Sequence, residues 1–187
     1  MRDPVSGARP ASLMAETGLV VFVPQAETLV QQYRRRHDTV AALGMPAHVT
    51  VFYPFKESGA ITDDDIRALE ELAGGIEAFT FELTEVGRFP GVLFLKPEPE
   101  EPFGVLARAI AESFPGLSMY EGEHRTFVPH LTVAHADDTR ELDAIAGRFT
   151  REAEHHLPIQ AYAGHVCLME SGAERWTNRR SFKLRTP

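Results

Sequence analysis

The sequence predicts mixed strands and helices, α+β or α/β, with the sheets in two lobes of one bilobal domain. Three observations predict it. Short apolar runs bounded by Gly or Pro alternate with segments of helical period. The alternation passes twice through the same order of strand, helix, strand, helix, strand. No low-complexity segment or linker divides the two passes. A chain of 187 residues, 43% hydrophobic and 25% charged, has the composition of one soluble globular domain large enough to bury a core.

Residues 1–16 are polar and interrupted by prolines, and read as a flexible tail before a single domain over 17–187. "GLVVFVP" (18–24) is a buried strand between Gly and Pro, and "AETLVQQYRRRHD" (26–38) follows with helical character. "HVTVFY" (48–53) is the second strand. Thr62 with the acids of "TDDD" starts a helix, because a threonine caps the first turn and carboxylates complement the helix dipole. Gly74 and Gly75 end or fray it, and "TFELTEVG" (80–87) alternates as a strand. "VGRFPG" then turns the chain.

The second pass opens on "VLFLKP" (92–97), a strand closed by proline like the first. "PFGVLARAIAESF" (102–114) is an amphipathic helix with Leu106, Ile110 and Phe114 on one stripe. A polar loop, 118–126, precedes the strand "FVPHLTVAH" (127–135). A helix over 139–157, the strand "PIQAYAGHVCLMES" (158–171) and the strand "RWTNRRSFKL" (175–184) complete the chain, the last two as a hairpin around "SGAE".

A net charge of −8 argues against a broad basic surface that grips long nucleic acid, and leaves room for a small anion in a locally positive pocket. The clusters Arg34-Arg35-Arg36 and Arg179-Arg180 read as solvated faces, with contact to an RNA backbone as the alternative for one of them. One cysteine, Cys167, allows no internal disulfide and no cysteine zinc cluster; it reads as a small core residue in a reducing, cytoplasmic setting. The apolar runs are too short to span a membrane, and there is no Walker loop or GxGxxG.

His-x-Thr occurs four times. His37/Thr39 falls at a helix end and His124/Thr126 in a charged loop. His48/Thr50 and His130/Thr132 alone sit in apolar strands, at equivalent places in the two passes, each closely preceded by a proline (Pro46, Pro129). Residues i and i+2 of a strand share a face, so His48, Thr50 and Phe52 point together, away from Val49, Val51 and Tyr53. Facing a cleft spares such polar pairs the cost of dry burial. Read this way, the two pairs form one site.

The strands "PAHVTVFYPF" and "RTFVPHLTVAH" resemble the paired HxT motifs of the 2H phosphoesterase superfamily, most closely its 2′-5′ RNA ligase-like branch. The stretch "VGRFPGVLFLKPEPEEPFGVLARAI" (86–110) is similar to that branch's middle segment, and the resemblance covers about residues 18–170. It implies an α+β fold of two pseudo-twofold-related sheet-plus-helix lobes around a central cleft. It also implies metal-independent phosphodiester chemistry on 2′,3′-cyclic phosphates or 2′-5′ linkages. Where relatives often carry Arg shortly after the second motif, this chain has His135.

The residue types suit that chemistry. One neutral imidazole, His48 or His130, takes a proton from water while the other, as imidazolium, protonates the departing ribose oxygen. Thr50 and Thr132 donate hydrogen bonds to the phosphate oxygens as charge builds. Phe52, as pocket wall or core filler, and Arg125, in the loop before the second motif, are candidate substrate contacts; Arg88, in the turn "VGRFPG", stands on the same footing as Arg125. His, Thr and no adjacent carboxylate cluster form a poor divalent-ion set, so no metal and no cofactor is expected. The expected partner is a small phosphodiester, nucleotide or RNA end, with no membrane and no obligate protein partner. The alternatives are a hydrolase of cyclic nucleotide signals and a non-catalytic RNA- or nucleotide-binding module of the same fold.

Overall fold

The computed structural model describes residues 15–119 and 127–186. β1 (Thr17–Phe22) turns through Pro24–Ala26 into α1 (Glu27–His37) and a short α2 (Thr39–Ala42). β2 (His48–Phe52), α3 (Asp63–Gly75) and β3 (Phe79–Phe89) follow. The second pass holds β4 (Val92–Glu98), α4 (Glu101–Ser113), β5 (Leu131–His135), α5 (Thr139–Ala153) and β6 (Ile159–Ala163). β7 (His165–Ser171) and β8 (Trp176–Lys183) form the expected terminal hairpin.

Local chemistry sets the helix starts. The Thr62 hydroxyl accepts the Asp65 N–H at 3.2 Å and the Asp65 carboxylate accepts the Thr62 N–H at 2.9 Å, a reciprocal cap. Burial alone would raise the Asp65 carboxyl, but the Lys56 ammonium at 2.7 Å and the Thr62 groups outweigh it and hold it below the usual range. Asp138 caps α5 by accepting the Arg140 and Glu141 N–H groups.

Two four-stranded antiparallel sheets result, ordered β2-β1-β7-β8 and β5-β4-β3-β6. The architecture is two-lobed α+β, but the lobes are not the sequence halves. β3 from the first half pairs with β4, and β7 from the second half pairs with β1. The first half therefore contributes β3 to the second sheet, and the second half contributes β7 and β8 to the first. The segment 158–171, expected as one strand, breaks at Gly164 and crosses between sheets: β6 joins β3 while β7 joins β1. β3 is longer than expected and runs through Arg88, so the turn falls at Pro90-Gly91, where Gly91 takes φ +75°. Ala15 and Glu16, read as tail, are tied down by Ser58 N–H to Ala15 O and by Glu16 N–H to Ser171 Oγ, both at 2.8 Å.

The first helix of each half also crosses over. α1 packs on β5 and α4 packs on β2, and one large apolar core runs through both lobes, with a smaller cluster of Val20, Met45, Cys167 and Met169 apart from it. At its centre Phe103 meets Phe79 and Phe81, both edge-to-face with centroids 5.0 Å apart. Cys167 is buried as expected, and burial raises its thiol. These exchanges hold the two motif strands, the outermost of their sheets, next to each other.

Candidate active site

The motif strands share a feature that alternation does not reveal. Leu19 pairs with Phe52 and Val20 with Thr50, so Val51 is an extra residue in β2. Leu93 pairs with Ala134 and Phe94 with Thr132, so Val133 is an extra residue in β5. Both strands bulge one residue after the motif threonine. A bulge resets the alternation and re-aims the chain. His48, Thr50, His130 and Thr132 lie half-buried on the face away from the core, while Val51 with Phe52 and Val133 with Ala134 are consecutive buried pairs. Phe52 thus leaves the His48 face and takes the second of its two expected places, as core filler. It is 1% exposed, its ring 6.4 Å from Phe55 in the core.

Both imidazoles are anchored alike. His48 Nδ1 lies 2.7 Å from the Pro46 carbonyl oxygen, and His130 Nδ1 lies 2.8 Å from that of Val128. A carbonyl can only accept, so each neutral ring carries its proton on Nδ1 and its lone pair on Nε2. The residue before each strand is what the prolines prepare: Pro46 supplies the accepting carbonyl itself, and Pro129 separates Val128 from His130.

The surroundings of the two rings differ. His130 sits against a pair of stacked rings, Phe89 and Phe94, whose centroids are 4.3 Å apart; it is 5.2 Å from the first and 5.4 Å from the second. Gly87 makes the stack possible, because a Cβ there would stand 2.4 Å from the Phe94 ring. His48 is pushed down to about 4, first by burial and then by the Arg34 guanidinium; the Pro46 carbonyl and Asp38 oppose this, and repulsion from His130 adds to it. β2 lies beside β5, so the two motif strands are neighbours, and the repulsion from His130 agrees with that proximity.

Other expectations resolve as follows. Arg34 does not lie on a solvated face: it is 2% exposed and paired with buried Asp38. Arg88 is in β3 and pairs with Asp143 at 2.8 Å. His135 is exposed at the end of β5. His37, from a chance His-x-Thr, lies 3.9 Å from Glu141. Arg125 lies outside the described residues. Among the described residues no three His, Cys, Asp or Glu side chains converge where an ion could sit. Sequence reasoning missed Phe89, Phe94, Gly87 and Arg34. The aromatics and glycine stand in "GRFPGVLF", where nothing in the spacing links them to His130.

The low value for His48 makes stability depend on pH. The unfolded imidazole takes up its proton near the ordinary value of about 6.5, and the folded one only near about 4. As pH falls through that window the unfolded chain binds more protons, so stability declines from about pH 6.5 and the loss is complete near pH 4. The amount is about 3 kcal/mol. Thermal melts of His48→Gln should lose this part of the acid dependence relative to the parent chain. An unchanged slope would refute the environment described for His48.

The model of the 2′-5′ RNA ligase superfamily matches residues 22–175. A Bacillus licheniformis protein, by name a candidate phosphoesterase, is 29% identical over 173 residues, covering 89% of this chain and 97% of its own. A Halalkalibacterium halodurans protein of the same description is 27% identical over 161 residues, covering 84% and 90%. Among solved structures, a Thermus thermophilus protein aligns with a TM-score of 0.61 at 19% identity, over 91% of this chain and 98% of its own. Escherichia coli LigT complexed with 3′-AMP aligns with a TM-score of 0.54 at 18% identity, over 91% and 98%.

Proposed function

The chain belongs to the 2′-5′ RNA ligase superfamily, and from that premise we propose that it is a metal-independent phosphodiesterase and RNA ligase-like enzyme. Its substrates are 2′,3′-cyclic phosphates or 2′-5′ phosphodiesters of nucleotides or RNA ends. The observation that carries this reading is the matched pair of imidazoles. Each is held through Nδ1 by a carbonyl two residues upstream, on adjacent strands that bulge at the same step. That arrangement leaves Nε2 of each ring as the proton-transfer atom.

Hydrolysis of a cyclic phosphate then proceeds in line. The water oxygen bonds to phosphorus while one Nε2 takes its proton. The bond from phosphorus to a ribose oxygen breaks, and the other Nε2–H supplies the proton that oxygen needs. Thr50 and Thr132, two residues on from each histidine, donate to the non-bridging oxygens. The same site joins ends in reverse, without ATP. A nucleotide-sized substrate agrees with Escherichia coli LigT having been solved with 3′-AMP. The acidic balance of the chain favours small nucleotides or an RNA end over long RNA. The single cysteine suits a cytoplasmic setting.

The test is product analysis on the four 2′,3′-cyclic mononucleotides, in excess EDTA. Turnover to a 2′- or 3′-monophosphate is the expected result, and the isomer identifies the leaving oxygen. Activity that vanished with EDTA and returned with a divalent ion would overturn the mechanism. Binding without turnover, indifferent to loss of either histidine, would make the protein a binding module. Thr50→Val and Thr132→Val should each lower kcat by about a hundredfold with little change in KM, because their donation strengthens as charge develops. A change confined to KM would assign them to binding alone.

A further inference from the structure

Arg34 makes the two half-sites unequal. The buried stripe of α4, which packs on β2, is wholly apolar: Phe103, Leu106, Ala107 and Ile110. α1, which packs on β5 in the matching position, buries Leu29, Val30 and Arg34. A hydrophobe would fill that place at less cost in desolvation, as α4 shows. The guanidinium is instead anchored on one oxygen: Nε lies 3.1 Å and Nη2 3.0 Å from Asp38 Oδ2. The other oxygen, Oδ1, is turned to the Val40 N–H at 3.2 Å, where it caps α2. Asp38 thus divides its charge between a cap and the cation; Nη2 meets it as an ion pair only, and neither Nη1 nor Nη2 has a hydrogen-bond acceptor among the described residues.

This cation is placed close to the first motif. Glu27, at the start of α1, accepts the Ala47 N–H at 2.8 Å and ties the helix to the residue before His48. Arg34 and Pro46, whose carbonyl holds the His48 ring, line one cavity of about 520 Å³ together with Phe22 and Met45. Phe22 is the residue opposite His48 in the β1–β2 ladder.

We propose that Arg34 is a positioning residue for the reaction: anchored on Asp38 in the cavity it shares with Pro46, whose carbonyl holds the His48 ring, its guanidinium makes His48 the base and His130 the acid when a cyclic phosphate is opened. This rests on the function proposed above. Among the described residues, the charged and titratable groups on the His48 side are Arg34, Glu27 and Asp38 from α1–α2 and His130 from β5. β1 presents Phe22, and α4 packs on β2 through apolar residues. The lowered value for His48, with Arg34 second only to burial among its causes, agrees with the geometry. Glu27 is occupied by the Ala47 N–H, so after the Pro46 carbonyl the opposing charge comes from Asp38. A phosphate held by Thr50 and Thr132 opposes the guanidinium and strengthens the base once substrate is bound.

The test reads the ring directly, by NMR titration of the His48 imidazole in the full chain. Arg34→Met should raise its midpoint by about 1 or more. Arg34→Lys should keep it near the parent value. Asp38→Asn should lower it, because it removes the opposing charge. Both Arg34→Met and Asp38→Asn break the same ion pair, so a merely structural role moves the two midpoints in the same direction. That result, or an unmoved midpoint in Arg34→Met, overturns the proposal. Should Arg34→Met not fold, the double variant Arg34→Met/Asp38→Asn leaves no unpaired buried charge, and its midpoint must lie above that of Asp38→Asn; equal midpoints in those two are equally fatal. The titration needs no turnover, so a failure of the proposed function is seen separately. With a turned-over 2′,3′-cyclic nucleotide, the acid limb of kcat/KM should move with the His48 midpoint. An acid limb that stayed put would overturn the assignment of His48 as base.

Discussion

His48→Ala and His130→Ala should each cut turnover of a 2′,3′-cyclic nucleotide by about a hundred- to ten-thousand-fold. The double variant should be scarcely worse than either single one, since an acid and a base that act in one step are not additive. The reason lies in the geometry. Each ring has its Nδ1 committed to a backbone carbonyl, so its only proton-transfer atom is Nε2, and a methyl group supplies none. His37→Ala is the control: it removes a histidine from a chance His-x-Thr whose neighbour is Glu141, and activity should be unchanged. Steady-state rates with thermal melts decide it. One histidine variant with full activity would show that the two motifs do not form a composite site.

Phe94→Ala should cost about 3 kcal/mol of stability and lower activity as well. The ring is 6% exposed, so its removal leaves a cavity in the second sheet. It is also one of the two rings against which His130 rests, so the imidazole loses a wall that fixes its orientation. Gly87→Ala attacks the same contact from the other side. Its new Cβ would fall 2.4 Å from the Phe94 ring, and overpacking of this kind costs about 1–3 kcal/mol. Denaturant unfolding and rates measured on folded protein separate the two effects. Loss of stability with full activity in both variants would show that the stack supports the sheet and not the histidine.

These two predictions draw on different kinds of information. The histidines were legible because the pattern that exposes them is local. A polar pair two apart in an apolar strand, repeated at the equivalent place in the second half, needs no knowledge of what lies across the cleft. The strand at 48–52, the helix begun by Thr62 and the terminal hairpin were legible for the same reason: alternation, caps and turns are written within a few residues.

Phe52 shows where that reasoning stops. Alternation puts it on the His48 face, but the bulge at Val51 turns it into the core. A bulge is a mismatch between two strands and has no trace in either alone. The exchange of β3 and β7 between sheets is of the same kind, because an apolar strand does not name its neighbour. Arg34 is the strongest instance. Within "RRR" it is indistinguishable from its exposed neighbours, and only the approach of α1 to β5, with Asp38 folded back on it, makes it a buried cation.

The sequence by itself determined the element order, the doubled architecture and the four residues on which the proposed chemistry turns, since each depends on contacts within one strand or one helical turn. Tertiary structure alone decided which strands share a sheet, which face each side chain takes after the bulges, and why two identical motifs sit in unequal surroundings. Those depend on burial and on charges brought together from segments distant in the chain, and the energy of such contacts exists only once the chain has folded.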